Sequence, residues 1–209
     1  MLSNRIAHLV PPPRQVPFPV VCSAMLGISG MAGAAFLVLG MLFVWLFVAD
    51  PAAPLWVCFV LIFPAVGAAF FATNTVRGAQ QVALLRHGRV AGAHRVSSQA
   101  TNTTVNEQPV ITYFYEFQAG DGQMYQGASR AISSEELGDE DAEPVLYLPS
   151  NPELSVLVDA LPLRSTLDVD QDGEWVSYES VWPVVRLGLA WMGILAHAMY
   201  ALSRLLEAL

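Results

Sequence analysis

From Phe18 to Val76 the chain carries one charged side chain, Asp50, and no Lys, Arg or Glu. A soluble domain of this size does not keep so long an apolar stretch uncharged. The loop Asp50-Pro51-Ala52-Ala53-Pro54 divides it in two, so the stretch reads as a helical hairpin whose two arms cross a membrane. The first arm, about 18–49, would span roughly 45 Å as one helix, longer than a hydrocarbon core of about 30 Å, and so should tilt or project. The second, about 54–76, carries Trp56 at its outer end and Pro64 in its interior, where a kink is expected. It should run on as a stalk to His87, with Gly88 ending the helix.

The bulk figures agree. The chain has 209 residues, 54% of them hydrophobic, with a mean hydropathy of +0.45, which is membrane-class composition. A formal charge of −8 argues against nucleic acid as a partner. Both cysteines, Cys22 and Cys58, lie in the hairpin near opposite faces of the expected bilayer and cannot bridge. Residues 1–17, with Arg5, Arg14 and four prolines, read as an extended, solvated arm and not as a secretory signal.

Small residues mark one face of the first arm: Ser23, Gly27, Gly30 and Ala34 fall at i, i+4, i+7 and i+11, and Ser29 and Gly33 make a further pair. Such a stripe lets another helix approach closely. The expected partners are the second arm, other membrane proteins and the lipid bilayer itself.

After Gly88 the period changes from helical to alternating. Strands are expected at about 89–99, 109–118, 123–132, 144–148 and 154–158. In the second of these, Ile111, Tyr113, Tyr115 and Phe117 share one face. Gly120-Asp121-Gly122 is a hairpin turn, and 133–143 an acidic connection. The fold class that follows is membrane α plus small β: a transmembrane helical hairpin, a five-stranded β-barrel-like domain, and a third, C-terminal transmembrane helix. The expected divisions are a proline-rich arm (1–17), hairpin and stalk (18–87), β-domain (88–160), acidic linker (161–179) and third span (180–209). So thin a β core should lean on the helices or on a partner.

The third span, about 178–206, begins in an aromatic belt of Trp175, Tyr178 and Trp182. Arg186 and His197 are eleven residues apart and share a helix face. Intramembrane ionisable groups of this kind mark either function or interfacial snorkelling. Arg5 and Arg14 precede the first arm and Arg77, Arg86, Arg89 and Arg95 follow the second. The positive-inside rule therefore puts the N-terminus and β-domain of this multi-pass protein in the cytoplasm and the hairpin tip outside.

The sharpest chemical motif is Asp168-Val-Asp170-Gln-Asp172-Gly173-Glu174, with Glu179 five residues on. It fits the D-x-D-x-D-G-x5-E calcium loop. Asp168, Asp170 and Asp172 would converge on the ion, the Glu174 carbonyl would add an oxygen, and Glu179 would close the shell from an exiting helix. The entering helix is poor, since Pro162 interrupts it, and the alternative is an acidic solvated linker. There is no phosphate loop, nucleophile elbow or zinc spacing, so no enzyme is expected.

Arg86-His-Gly88-Arg-Val-Ala-Gly92, Tyr113-Phe-Tyr115-Glu-Phe117, Gly120-Asp-Gly122, Tyr125-Gln-Gly127 and Val145-Leu-Tyr147-Leu-Pro149-Ser-Asn151-Pro152 together resemble the bacterial membrane proteins grouped as domain of unknown function 3592. The resemblance covers about 77–160. It implies a small β-domain flanked by membrane helices in the bacterial inner membrane, and no reaction. The function expected is a non-catalytic accessory or scaffolding subunit of a bacterial membrane complex. The alternatives are a calcium-responsive regulator using 168–179 and, with less to support it, a channel or transporter component built around Arg186 and His197.

Overall fold

A computed structural model describes residues 6, 8–48, 56–105, 108–131, 142–161, 167–178 and 180–208. The chain divides into two compact units, Met1–Val20 with Gln80–Glu179, and Val21–Ala79 with Ser180–Leu209. Its helices are α1 (Phe18–Met25), α2 (Ile28–Val48), α3 (Trp56–His87) and α4 (Trp182–Ala208). Residues 56–79 of α3 belong to the second unit and residues 80–87 to the first.

The first unit is built on a five-stranded antiparallel sheet: β1 (Arg89–Val105), β2 (Gln108–Gln118), β3 (Met124–Ala131), β4 (Glu143–Leu148) and β5 (Asn151–Leu157). The spatial order is β3-β2-β1-β4-β5. Its edges nearly close on each other: the Ser129 hydroxyl of β3 accepts from the Leu157 N–H of β5 at 3.1 Å. The alternation of β2 sets the register. Tyr113, Tyr115 and Phe117 are buried and β2 pairs with β3 without a shift from Ile111↔Ala131 to Gln118↔Met124. The turn between them has Gly122 at φ +81°, where a side chain would be strained. Asp121 accepts from the Gln123 N–H and the Tyr125 hydroxyl at its base.

Three features of this unit depart from the sequence reading. First, β1 continues past Gln99 to Val105, in a polar segment whose β-branched threonines suit a strand; the Thr101 hydroxyl donates to the Val110 carbonyl across the ladder at 2.8 Å. Second, the N-terminal arm is no solvated appendage. Ile6 and Arg14 are buried, and the Val10 N–H donates to Gly173 O at 3.1 Å. Third, the stretch expected to be an acidic linker folds as a second small sheet, β6 (Leu167–Val169) with β7 (Trp175–Ser177), paired Leu167↔Ser177 to Val169↔Trp175.

These additions explain how a thin barrel obtains a core. β4 is buried on both faces. Val145 and Tyr147 join Tyr113, Tyr115, Phe117 and Leu157 inside the barrel. Leu146 faces the other way, into a cluster of Ile6, Val20, Leu85, Val158, Leu161, Leu167, Val169 and Trp175. Trp175, expected in an interfacial belt, is 3% exposed and belongs to this cluster. The barrel leans on its own arm, the end of α3 and the β6–β7 hairpin.

In the second unit the first apolar arm is not one helix. It breaks at Leu26–Gly27, and Phe18–Met25 and Ser29–Phe43 are bent by 63°. Asn74 of α3 sits at the break: its amide donates to the Met25 carbonyl at 3.0 Å and its carbonyl accepts from the Ser29 hydroxyl at 2.9 Å. Below the break α2 and α3 run antiparallel in close contact, with Gly33 against Phe70 and Phe71, Gly67 against Leu37, and Gly40 against Pro64. Helix α4 runs parallel to α2, with Met31 near Arg186 and Val38 near Gly193. The ring of Phe71 meets that of Trp191 edge-on at 5.6 Å. Among the described residues, Trp182–Tyr200 is long and apolar enough to cross a membrane, and α1 with α2 passes the same test as a bent pair.

Candidate functional site

The C-terminal end of α3 is the most elaborated polar locus of the first unit. A helix ends with four carbonyls that have no partner inside it, and here Leu84 and Leu85 are buried. Arg14 supplies donors. Its backbone N–H reaches Arg86 O at 2.9 Å, its Nη1 reaches Gly88 O at 2.8 Å and Leu85 O at 3.4 Å, and its Nε reaches Val10 O at 2.6 Å. The Trp175 Nε1–H gives Leu85 O a second donor at 2.9 Å. Arg14 is only 4% exposed. Burial lowers its pKa, and the charge of Glu174 works in the opposite direction. A cation at this position also complements the helix dipole. Gly88 closes the last turn by donating to Leu84 O at 2.7 Å. This is a structural joint between arm, helix and hairpin.

The β6–β7 loop holds four of the expected calcium ligands, and the Asp168 and Asp170 carboxylates are bonded to the loop's own backbone. Asp170 Oδ1 accepts from the N–H groups of Asp172 and Glu174 at 3.0 and 2.9 Å. Asp168 Oδ1 accepts from the Val169 N–H at 2.9 Å, and Glu174 Oε2 accepts from the Gln15 N–H at 3.3 Å. Gly173 has φ +82°, the turn geometry that the motif's glycine supplies, and its missing side chain leaves room for the His8 carbonyl and the Val10 N–H. The exiting helix is absent from its expected place: Trp175–Ser177 is a strand and α4 starts at Trp182. Glu179 lies outside the described residues. Among the described residues no three His, Cys, Asp or Glu side chains gather as metal ligands. Asp168 and Asp170 act here as turn-forming groups. Asp170→Ala should lower stability by about 1–2 kcal/mol through its two lost hydrogen bonds. The same drop in melting temperature is expected in chelator and in millimolar calcium, and a calcium-dependent difference between variant and parent would contradict it.

Inside the barrel, the motif residues of the β-domain form one aromatic network. The Tyr147 hydroxyl accepts from the Gly120 N–H at 2.9 Å. The Tyr115 hydroxyl lies 3.1 Å from that of Ser155 and 3.5 Å from that of Ser129. Burial raises the Tyr115 pKa, opposed by those two serine hydroxyls. Gly127 has no side chain because the Tyr115 ring occupies that space. The outer face carries a shallow concavity of about 640 Å³ lined by Gln99, Asn102, Thr112, Phe114, Ala128 and Arg130 among others. It combines amide and hydroxyl groups, one guanidinium and a ring that is 40% exposed. That mixture suits protein contact and contains no nucleophile–base pair.

In the helix unit the small-residue stripe is divided by the break at Leu26–Gly27. Ser23 lies in α1, Gly27 and Gly30 face Asn74, and Ala34 is buried beside α4 residues. The closest backbone approaches fall at Gly33, Gly40, Gly67 and Gly78. Gly33 and Gly40 are seven residues apart and Gly67 and Gly78 eleven, both helical repeats that the sequence offers. Arg186 and His197 are not brought together, being separated by about 16 Å of helix rise. His197 Nδ1 lies 2.9 Å from Gly193 O of its own helix, and Arg186 Nη1 is 3.7 Å from Met31 Sδ. Compared with known proteins, the chain matches no family model, no curated protein and no solved structure.

Proposed function

We propose that the chain is a membrane-embedded, non-catalytic accessory or scaffolding subunit, with its three apolar segments in the bacterial inner membrane and its β unit held at the cytoplasmic face as a docking module. One observation carries the reading. The helix unit is apolar outside and small inside: Phe36, Leu39, Leu42, Phe43, Leu61, Ile62, Phe63 and Phe70 are exposed, as are Leu189, Met192, Leu195 and Met199, while glycines line the contact between α2 and α3. In water such a surface would aggregate. In lipid it is the expected arrangement, because packing there rests on close backbone approach and not on burying large side chains. The β unit does the reverse and buries Tyr113, Tyr115, Phe117, Tyr147 and Trp175.

The resemblance to the domain of unknown function 3592 proteins fits the same picture, as does the concentration of Arg77, Arg86, Arg89 and Arg95 after the second arm. The docking surface we assign is the outer concavity around Phe114 and Arg130. The test is purification of the full chain from bacterial membranes in a gentle detergent. A second membrane polypeptide should be recovered at fixed stoichiometry. Phe114→Glu should reduce its recovery at least several-fold, the usual effect of losing an aromatic interface anchor, without lowering the melting temperature. A lone monomer, or recovery indifferent to Phe114→Glu, would count against the docking role.

A further inference from the structure

A groove of about 270 Å³ runs between α2 and α4, lined by Leu26, Met31, Ala34, Val38, Leu189 and Gly193 among others, with Arg186 in its wall. Alanine and glycine keep it open: Ala34, Ala35 and Ala190 lie along it, and Gly193 approaches Val38 with no side chain of its own. Arg186 is its one charged member. The Nε of that guanidinium is sealed from solvent and has no hydrogen-bond partner among the described residues, and Nη1 has the soft thioether of Met31 at 3.7 Å. A guanidinium carries five donors, and a sealed donor left without a partner is unfavourable. Among the described residues of the helix unit, 21–48, 56–79 and 180–206 contain no Asp or Glu to neutralise Arg186.

We propose that this groove binds an anionic phospholipid, with its phosphate on Arg186 and one acyl chain along the apolar walls. The inference rests on the membrane reading above. A planar guanidinium matches a phosphate in a two-pronged contact that a lysine cannot reproduce. Arg186 also lies one helical turn from Trp182, which is exposed at the start of α4 and of the residue type that marks headgroup depth. Basic pockets between membrane helices on the cytoplasmic side are where acidic headgroups bind. Simple snorkelling would need no groove and would not prefer one headgroup.

The test is native mass spectrometry of the delipidated full chain, titrated in detergent with phosphatidylglycerol or phosphatidylcholine. Wild type should retain the anionic lipid about tenfold better, the size expected of one charge-assisted contact. Arg186→Gln should abolish the preference, and Arg186→Lys should keep part of it. Ala190→Phe, which fills the groove and keeps the arginine, should lower retention of phosphatidylglycerol at an unchanged melting temperature. Equal retention of both lipids by wild type, or a preference surviving Arg186→Gln, overturns the proposal. If Arg186→Gln does not fold, undiminished retention by Ala190→Phe overturns it instead. Flotation of wild type reconstituted in vesicles separates the two layers of the argument. A protein that floats but shows no preference loses only this inference, whereas one that does not float loses the membrane reading and this inference with it.

Discussion

Replacing Arg14 with methionine should destabilise the β unit by about 3 kcal/mol or more, the consequence of removing a buried charge and the side-chain donor of the Val10 and Gly88 carbonyls. Methionine keeps most of the side chain's volume, so the loss is one of hydrogen bonds and charge. Val10 O and Gly88 O lose their side-chain donor, and Leu85 O keeps Trp175 alone. Since Arg14 and Trp175 donate to one carbonyl, their effects should not add. The double variant with Trp175→Phe should show a coupling of about 0.5 kcal/mol or more. Thermal and urea melts of the four proteins check both statements. A shift of under about 0.5 kcal/mol for Arg14→Met, the range of an ordinary surface change, would mean that the joint at the end of α3 does not hold the arm and hairpin.

The second large effect belongs to the helix unit. Gly67→Leu should destabilise the α2–α3 pairing by about 3 kcal/mol, at the upper end for overpacking. Any Cβ there would lie 2.8 Å from Gly33 O and 2.9 Å from Leu37 Cα. Neither backbone can yield without separating the helices. Gly188→Leu is the control: a Cβ at Gly188 meets nothing within 4 Å, so the change should be neutral or raise stability by a few tenths of a kcal/mol to about 1 kcal/mol through helix propensity. Melting of both variants in detergent distinguishes them, and equal effects would contradict the packing described.

The parts of the fold that local pattern controls were legible. The alternation Tyr113, Tyr115, Phe117 placed β2 and its inner face, Gly120-Asp121-Gly122 placed the turn, and the apolar runs placed the helices. What could not be read depended on contacts distant in sequence. Gly27 within an apolar run looks like a packing residue, and nothing local reveals that Asn74, nearly fifty positions on, satisfies the Met25 carbonyl and allows the helix to break there. Arg14 among prolines looks like a solvated charge until the end of α3 is brought beside it. The acidic loop shows one pattern with two readings. The residue types of a calcium loop are also those of a tight turn, and Asp170 with Gly173 serves the turn of a β-hairpin in the structure. Trp175, two positions further, alternates inward in a strand and so leaves the aromatic belt that composition suggested.

The central claim is that the helix unit lies in lipid with its large apolar side chains outward. Leu39, Phe63 and Leu195 are 53%, 48% and 55% exposed, and they come from α2, α3 and α4 at one level of the unit, as the Gly40–Pro64 and Val38–Gly193 contacts fix it. The direct measurement is the accessibility of spin labels placed singly at these three positions in the lipid-reconstituted full chain. All three labels should be reached by molecular oxygen and shielded from a water-soluble nickel chelate. Labels freely reached by the chelate at all three positions would contradict the claim.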